Sequence, residues 1–171
     1  MVKLKLTYFN VEGAAEKIRL ALKLGGIDFE DERIDRAQWS ALKGKTPYGQ
    51  LPLFTIDDFP PVTESHAILR YVGKLAGLLP EDPILELRVE EVCGLFDDFF
   101  RSIKPSQEIF ARPQDFGYPA DMPETEKKAI QSKLRAALMA EGGEISRYLG
   151  YFESILAANG PHRPPPPRAA R

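Results

Sequence analysis

One cysteine, Cys93, stands among 171 residues. A lone cysteine closes no intrachain disulfide, no CxxC redox pair and no cysteine zinc site. A reducing compartment, the cytoplasm, is therefore the expectation. The two histidines, His66 and His162, have no companions at metal-ligand spacing, so no metal centre is expected. No apolar run approaches the ~18–20 residues of a membrane span. Behind Met1-Val2-Lys3-Leu4-Lys5 there is no long apolar segment, so no signal peptide is expected. Val2 does not fit N-myristoylation, and the last residues form no prenylation box. Internal repeats are missing too, which sets solenoids aside. A basic surface is also lacking: residues 1–80 carry 11 basic and 10 acidic side chains, residues 81–160 carry 9 and 15, and the net charge is −2. Nucleic-acid binding needs clustered Lys and Arg and is not expected.

What remains is ordinary globular material, 43% hydrophobic and 28% charged. Proline punctuates it. Leu79-Pro80-Glu81-Asp82-Pro83 reads as a boundary between a first domain, 1–79, and a second, 83–160. Five of the 15 prolines fall in residues 161–171. That Pro/Arg-rich tail is open to two readings, a flexible polyproline II segment or a ligand for grooves that bind such segments.

In the first domain, Leu4, Leu6 and Tyr8 alternate with Lys5 and Thr7 as in a strand. Ala15, Ile18 and Leu22 recur at helical spacing within Ala14 to Leu24, and Gly25-Gly26 follows as a stop. A strand from about Phe29 to Ile34 and a short helix or turn around Trp39 and Leu42 come next. Leu53 to Ile56 and Phe59 to Val62 read as a hairpin, with Pro60-Pro61 placing its second arm at an edge. Ile68, Leu69, Val72 and Leu75 mark a helix. The unit is α/β. In the second domain Leu85, Val89, Val92, Phe96, Phe99 and Ile103 define a long amphipathic helix. A second long helix is expected from Pro123-Glu124 to Leu156, kinked at Gly142-Gly143. The fold class is α/β followed by all-α.

Three segments suggest chemistry. Tyr8 ends the first strand, at the carboxyl edge where open α/β folds take ligands; it is a hydrogen-bond donor to an anion or an aromatic packed at a strand end. Tyr48-Gly49-Gln50-Leu51-Pro52-Leu53-Phe54 puts a proline at the entrance of a strand. Either a cis Leu51–Pro52 bond leaves Leu51 backbone groups facing a peptide-like ligand, or Pro52 is a turn proline at a sheet edge. Thr63-Glu64-Ser65-His66-Ala67-Ile68 opens a helix. Ser65 there is a carboxylate site with Glu64 beside it for an ammonium group, or a simple N-cap. Cys93 reads as a buried structural thiol.

Taken together, Leu6-Thr7-Tyr8-Phe9-Asn10, Tyr48-Gly49-Gln50-Leu51-Pro52 and Glu64-Ser65-His66-Ala67-Ile68-Leu69-Arg70-Tyr71 resemble the tyrosine-type cytosolic glutathione S-transferases, of sigma, pi or mu kind. Trp39, Lys43 and the pair Asp97-Asp98 fall at matching positions. The resemblance covers about residues 3 to 160. It implies a thioredoxin-like first domain, a helical second domain, a cytoplasmic homodimer, and detoxification chemistry with glutathione as cosubstrate and a hydrophobic electrophile as partner. By the same resemblance Tyr8 would hydrogen-bond the glutathione sulfur, and Trp39 and Lys43 would hold the glycine end. The Leu51 backbone would pair with the cysteinyl unit next to a cis Pro52, and Gln50 would also bind glutathione. Glu64 and Ser65 would hold the γ-glutamyl group, with Asp98 supplied by a second subunit, and Tyr48 would serve the dimer contact.

The sequence departs from that pattern twice. Ala14 stands where many members have an arginine. After Tyr151-Phe152-Glu153-Ser154-Ile155-Leu156 the chain meets Pro161 where members run on into further helices. The expectation is a C-terminally truncated member with a shortened helical domain and uncovered apolar helix faces. Two functions follow: a glutathione transferase using Tyr8, and, as the alternative, a non-catalytic glutathione-binding or dimerising protein.

Overall fold

The computed structural model describes residues 2–160. The chain forms two compact units that divide between Glu86 and Leu87. The Pro/Arg-rich tail, with His162, lies outside the described residues.

The first unit opens with strand β1 (Leu4–Phe9), a 3-10 turn (Gly13–Ala15) and helix α1 (Glu16–Leu24). Strand β2 (Glu30–Ile34), helix α2 (Arg36–Leu42), strand β3 (Leu53–Ile56) and helix α3 (Ser65–Leu75) follow. The sheet order is β2-β1-β3, with β1 parallel to β2 and antiparallel to β3. Alternation along β1 sends Leu4 and Leu6 into a core made with Ala15, Ile18, Ala21 and Leu22 of the first helical stretch, Phe54, and Ile68 and Val72 of α3. Two helices pack closely at their ends: a Cβ added at Gly25 would sit 2.5 Å from the Cβ of Ala76. Only glycine fits there.

The other face of β1 is polar but paired. Thr7 is buried, and its hydroxyl donates to Glu32 at 2.6 Å. Lys5 Nζ lies 2.7 Å from the same carboxylate. Burial pushes the Glu32 carboxyl up, but the hydrogen bonds from Lys5 and Thr7 outweigh it and hold it below the ordinary value.

The hairpin expected after Leu53 is not a hairpin. Its second arm is a single bridge, Phe54 to Val62, with two N–H···O bonds of 2.8 Å. Pro60 and Pro61 supply no N–H groups, so a ladder cannot extend.

The second unit takes up helix α4 (Pro83–Glu108), whose first turn belongs to the first unit. Asp82 caps it, accepting from the Ile84 and Leu85 amides at 2.9 and 3.0 Å. A 3-10 turn (Pro113–Phe116), helix α5 (Glu124–Met139) and helix α6 (Glu144–Asn159) complete it. The expected single kinked helix is therefore two helices. Gly142 takes φ +72°, and a Cβ at Gly143 would lie 2.6 Å from the Leu138 carbonyl oxygen, so the pair ends α5 rather than bending it. Phe99 of α4 meets Tyr148 and Phe152 of α6 at ring separations of 5.5 and 6.3 Å. Ser106, Ile109, Pro113 and Met122 are buried, whereas Cys93 is only half-buried, short of the buried position expected for it. Among the described residues no helix is long and apolar enough to cross a membrane.

Candidate functional site

Tyr8 shares the core-facing side of β1 with Leu4 and Leu6 but lies beyond the last residue paired with β3, Thr7 opposite Leu53. Its phenol is half-buried at the end of the sheet. The amide of Ala14 donates to its oxygen at 3.2 Å. Gly13 makes this approach possible. Its φ is +43°, and a Cβ there would stand 2.6 Å from the Tyr8 oxygen and 2.9 Å from the ring. A phenol carries one proton and can accept as well as donate. Ala14 occupies the acceptor side, and no acceptor for the hydroxyl proton is present among the described residues.

The next layer comes from the strand entrance. The Leu51–Pro52 bond is cis. Among the described residues the Leu51 amide and carbonyl have no backbone partner. Pro52 is buried and Leu51 half-buried, while Gln50 is exposed. This segment leads into β3, where Leu53 pairs with Thr7 of β1 and Phe54 with Val62.

From Val62 the chain leads straight into the start of α3. Glu64 there has φ +75° and ψ 98°, a conformation that costs a non-glycine residue roughly 1–3 kcal/mol and concentrates at ligand sites. The Glu64 side chain makes no capping bond to α3. Ser65 stands half-buried at the first position of the helix, the end where anions are favoured. Thr63, 3% exposed, has a buried hydroxyl without a hydrogen-bond partner among the described residues.

Helix α2 brings Trp39 to the same edge. Its start is fixed by Asp35 and Gln38, which exchange bonds with each other's backbone amides at 2.8 Å. The Trp39 ring meets Phe9 edge-on at 6.1 Å, and Phe9 meets Tyr8 at 5.8 Å. Lys43 is exposed, with its stem 3.6 Å from the place a Cβ on Gly49 would occupy. Tyr8, Trp39, Leu51, Pro52, Glu64 and Ser65 thus border one edge of the sheet, with Lys43 adjoining. Asp98 belongs to the second unit, on α4, where it accepts from Arg101 at 2.8 Å. Tyr48 is exposed.

Sequence reasoning missed Gly13, the Ala14 amide and Arg19. Arg19 is 4% exposed, and its guanidinium carbon lies 5.8 Å from the centre of the Tyr8 ring. It donates to Asp31 through Nε at 3.0 Å. Burial pushes the Asp31 carboxyl up, but the bonds and charges of Arg19 and Arg33 more than reverse this and hold it below its ordinary value. The available signal was an arginine set beside Ile18 on the apolar side of α1. Among the described residues no group of three or more His, Cys, Asp or Glu side chains is placed to hold a metal ion.

Comparison with known proteins gives the family. The family described as glutathione S-transferase, N-terminal domain, matches residues 4–74. Glutathione S-transferase 1 of Ascaris suum is 40% identical over 111 residues, 65% of this chain and 53% of the relative. The chain spans about half the length of the curated relatives it matches. Among solved structures, the glutathione S-transferase of Ascaris lumbricoides superimposes with a TM-score of 0.70 at 33% identity, covering 92% of this chain and 69% of that one. Prostaglandin synthase D of Nilaparvata lugens does so with a TM-score of 0.73 at 34% identity, covering 92% and 70%. With a thioredoxin-like first unit, a helical second unit and this likeness across nearly the whole chain, the protein belongs to the glutathione S-transferase family.

Proposed function

We propose that this chain binds glutathione along the sheet edge of its first unit and transfers it to apolar electrophiles, with Tyr8 as the catalytic residue. The observation that carries the reading is the Ala14 amide on the Tyr8 oxygen, which leaves the phenol proton to donate. A thiol of pKa ~8.5 is mostly protonated at neutral pH, and the thiolate is the nucleophile. A hydrogen bond to the charged form favours that form. The sulfur then forms a bond to the electrophilic carbon as the leaving group departs.

The donor set suits the rest of the tripeptide. The Leu51 amide and carbonyl match a peptide unit by strand addition. The start of α3 with Ser65 suits the γ-glutamyl carboxylate, and Glu64 its ammonium group. Lys43 and Trp39 suit the glycine end, and Gln50 and Pro52 frame the middle. In this reading Asp98 is contributed across a homodimer, and the protein works in the cytoplasm in detoxification. The likeness to a prostaglandin synthase fits the same thiolate chemistry.

Conjugation of glutathione to an aromatic halide, on wild type and Tyr8→Phe in parallel, tests the reading. A hydrogen bond to a charged group is worth about 1.5–3 kcal/mol, so the variant should lose about 10- to 100-fold in rate at neutral pH. Equal rates would refute the role of Tyr8. Retention on immobilised glutathione without conjugation in either protein would favour the non-catalytic alternative.

A further inference from the structure

Arg19 is a charged side chain inside the first unit, and a buried charge is tolerated only when it is paired and hydrogen-bonded. Its pairing is unusually broad. Nε donates to Asp31 at 3.0 Å, and Nη1 to Glu16 at 3.0 Å. Asp31 is in turn held by Arg33 at 2.9 Å. The rest of the fork goes to backbone: Nη1 to the Val11 and Glu12 carbonyls at 2.9 and 3.4 Å, and Nη2 to the Phe9 carbonyl at 3.5 Å. Those three carbonyls lie on one short stretch, the link from Tyr8 to Gly13 and Ala14. The end of that link is the amide that meets the Tyr8 oxygen.

We propose that Arg19 is a positioning residue for Tyr8: by gathering the Phe9, Val11 and Glu12 carbonyls it holds the Ala14 amide on the phenol oxygen, so that the phenol proton is committed to the sulfur. The proposal rests on the reading that Tyr8 donates to a glutathione thiolate. It also gives the alanine at position 14 a physical meaning. A cation lies near Tyr8 although Ala14 carries none, and the backbone of Ala14 does the contacting. A lysine could not replace Arg19, because an ammonium group is a point charge and cannot span three carbonyls and two carboxylates as a planar fork does.

The test measures ionisation of bound glutathione by its ultraviolet thiolate absorbance as pH is varied, which needs no electrophile. Four full-length proteins are compared: wild type, Tyr8→Phe, Arg19→Lys and Gly13→Ala. Arg19→Lys should raise the apparent pKa of the bound thiol by about one unit; at a pH below both values, where the bound thiol is protonated, glutathione affinity should change less than about twofold, since the tripeptide contacts are untouched. Gly13→Ala leaves the Arg19 cluster intact but drives the amide and hydroxyl apart, and should shift the curve in the same direction. Should Arg19→Lys not fold, Asp31→Asn takes its place: it weakens the anchor of Arg19 Nε without touching Tyr8 or the link, and should shift the curve the same way, no shift overturning the proposal. A shift in Tyr8→Phe with none in Arg19→Lys or Gly13→Ala would overturn the positioning role and spare Tyr8. A lowered melting temperature in Arg19→Lys with an unmoved ionisation curve would make Arg19 merely structural and also overturn it. No shift in Tyr8→Phe would end both readings.

Discussion

The two units bury their apolar side chains to different depths. In the first, Leu6, Ile18, Leu22, Phe54, Ile68 and Val72 are almost wholly enclosed, because a sheet and two helices give each one neighbours from both layers. In the second, α5 and α6 have no buried residue, and Leu149 and Leu156 are 56% and 64% exposed. Helices that meet along one stripe each leave half of every side chain uncovered. The contrast bears on the proposed site: the Tyr8 phenol and the Ala14 amide, held at 3.2 Å, lie in the unit whose core is the more enclosed.

The contrast can be broken by mutation. Phe54→Ala, at 1% exposure, should cost about 3–5 kcal/mol in denaturant unfolding. Leu156→Ala should stay within about 0.5 kcal/mol. Equal costs would mean that depth of burial does not separate the units. Next in size is the helix cap. Asp35→Ala removes the bond to Gln38 and should cost about 1 kcal/mol. Trp39, which starts one turn later, should report the loss as a change in fluorescence.

The smallest effect is in acid. Asp31 and Glu32 in the first unit, and Glu124 in the second, all have carboxyls held below their ordinary values in the folded chain. Such groups stabilise the fold above about pH 4, where the unfolded carboxyls are ionised, and that contribution is lost as pH falls through the folded values. Glu124 owes its shift first to the hydrogen bond from Lys128 on an open surface, so salt should erase its share. Asp31 is braced by the buried Arg19. The unfolding midpoint between pH 7 and 3 should therefore keep its acid slope in high salt, and Asp31→Asn should flatten it where Glu124→Gln does not. Equal flattening by both would count against a sheltered pair.

Much of this was readable from the chain itself. Alternation at Leu4 and Leu6 and the helical spacing of Ile68 and Val72 mark elements whose pattern and burial agree. The placement of Tyr8 near the end of β1 was legible from the alternation it continues, the cis Leu51–Pro52 step from a proline entering a strand, and the start of α3 at Ser65 from a hydroxyl residue ahead of an apolar helical run. The second arm after Phe59 failed because two prolines remove ladder donors, which apolar pattern does not record. Gly142-Gly143 looked like a kink because the apolar face continues in phase on both sides of the break. Arg19 was illegible for a different reason. Its partners are carbonyls at Phe9, Val11 and Glu12 and carboxylates at Glu16 and Asp31, and backbone oxygens leave no trace in composition.

Gly25 and Ala76 carry a mechanical consequence. Helix α1 is a rod of roughly 13 Å, fastened at one end where glycine meets alanine. Its other end adjoins the turn that presents the Ala14 amide. A methyl group inserted at the fastened end would act as a wedge under a lever, and the opposite tip would swing. Substitutions far from Tyr8 can therefore detune it without touching any residue that a ligand meets.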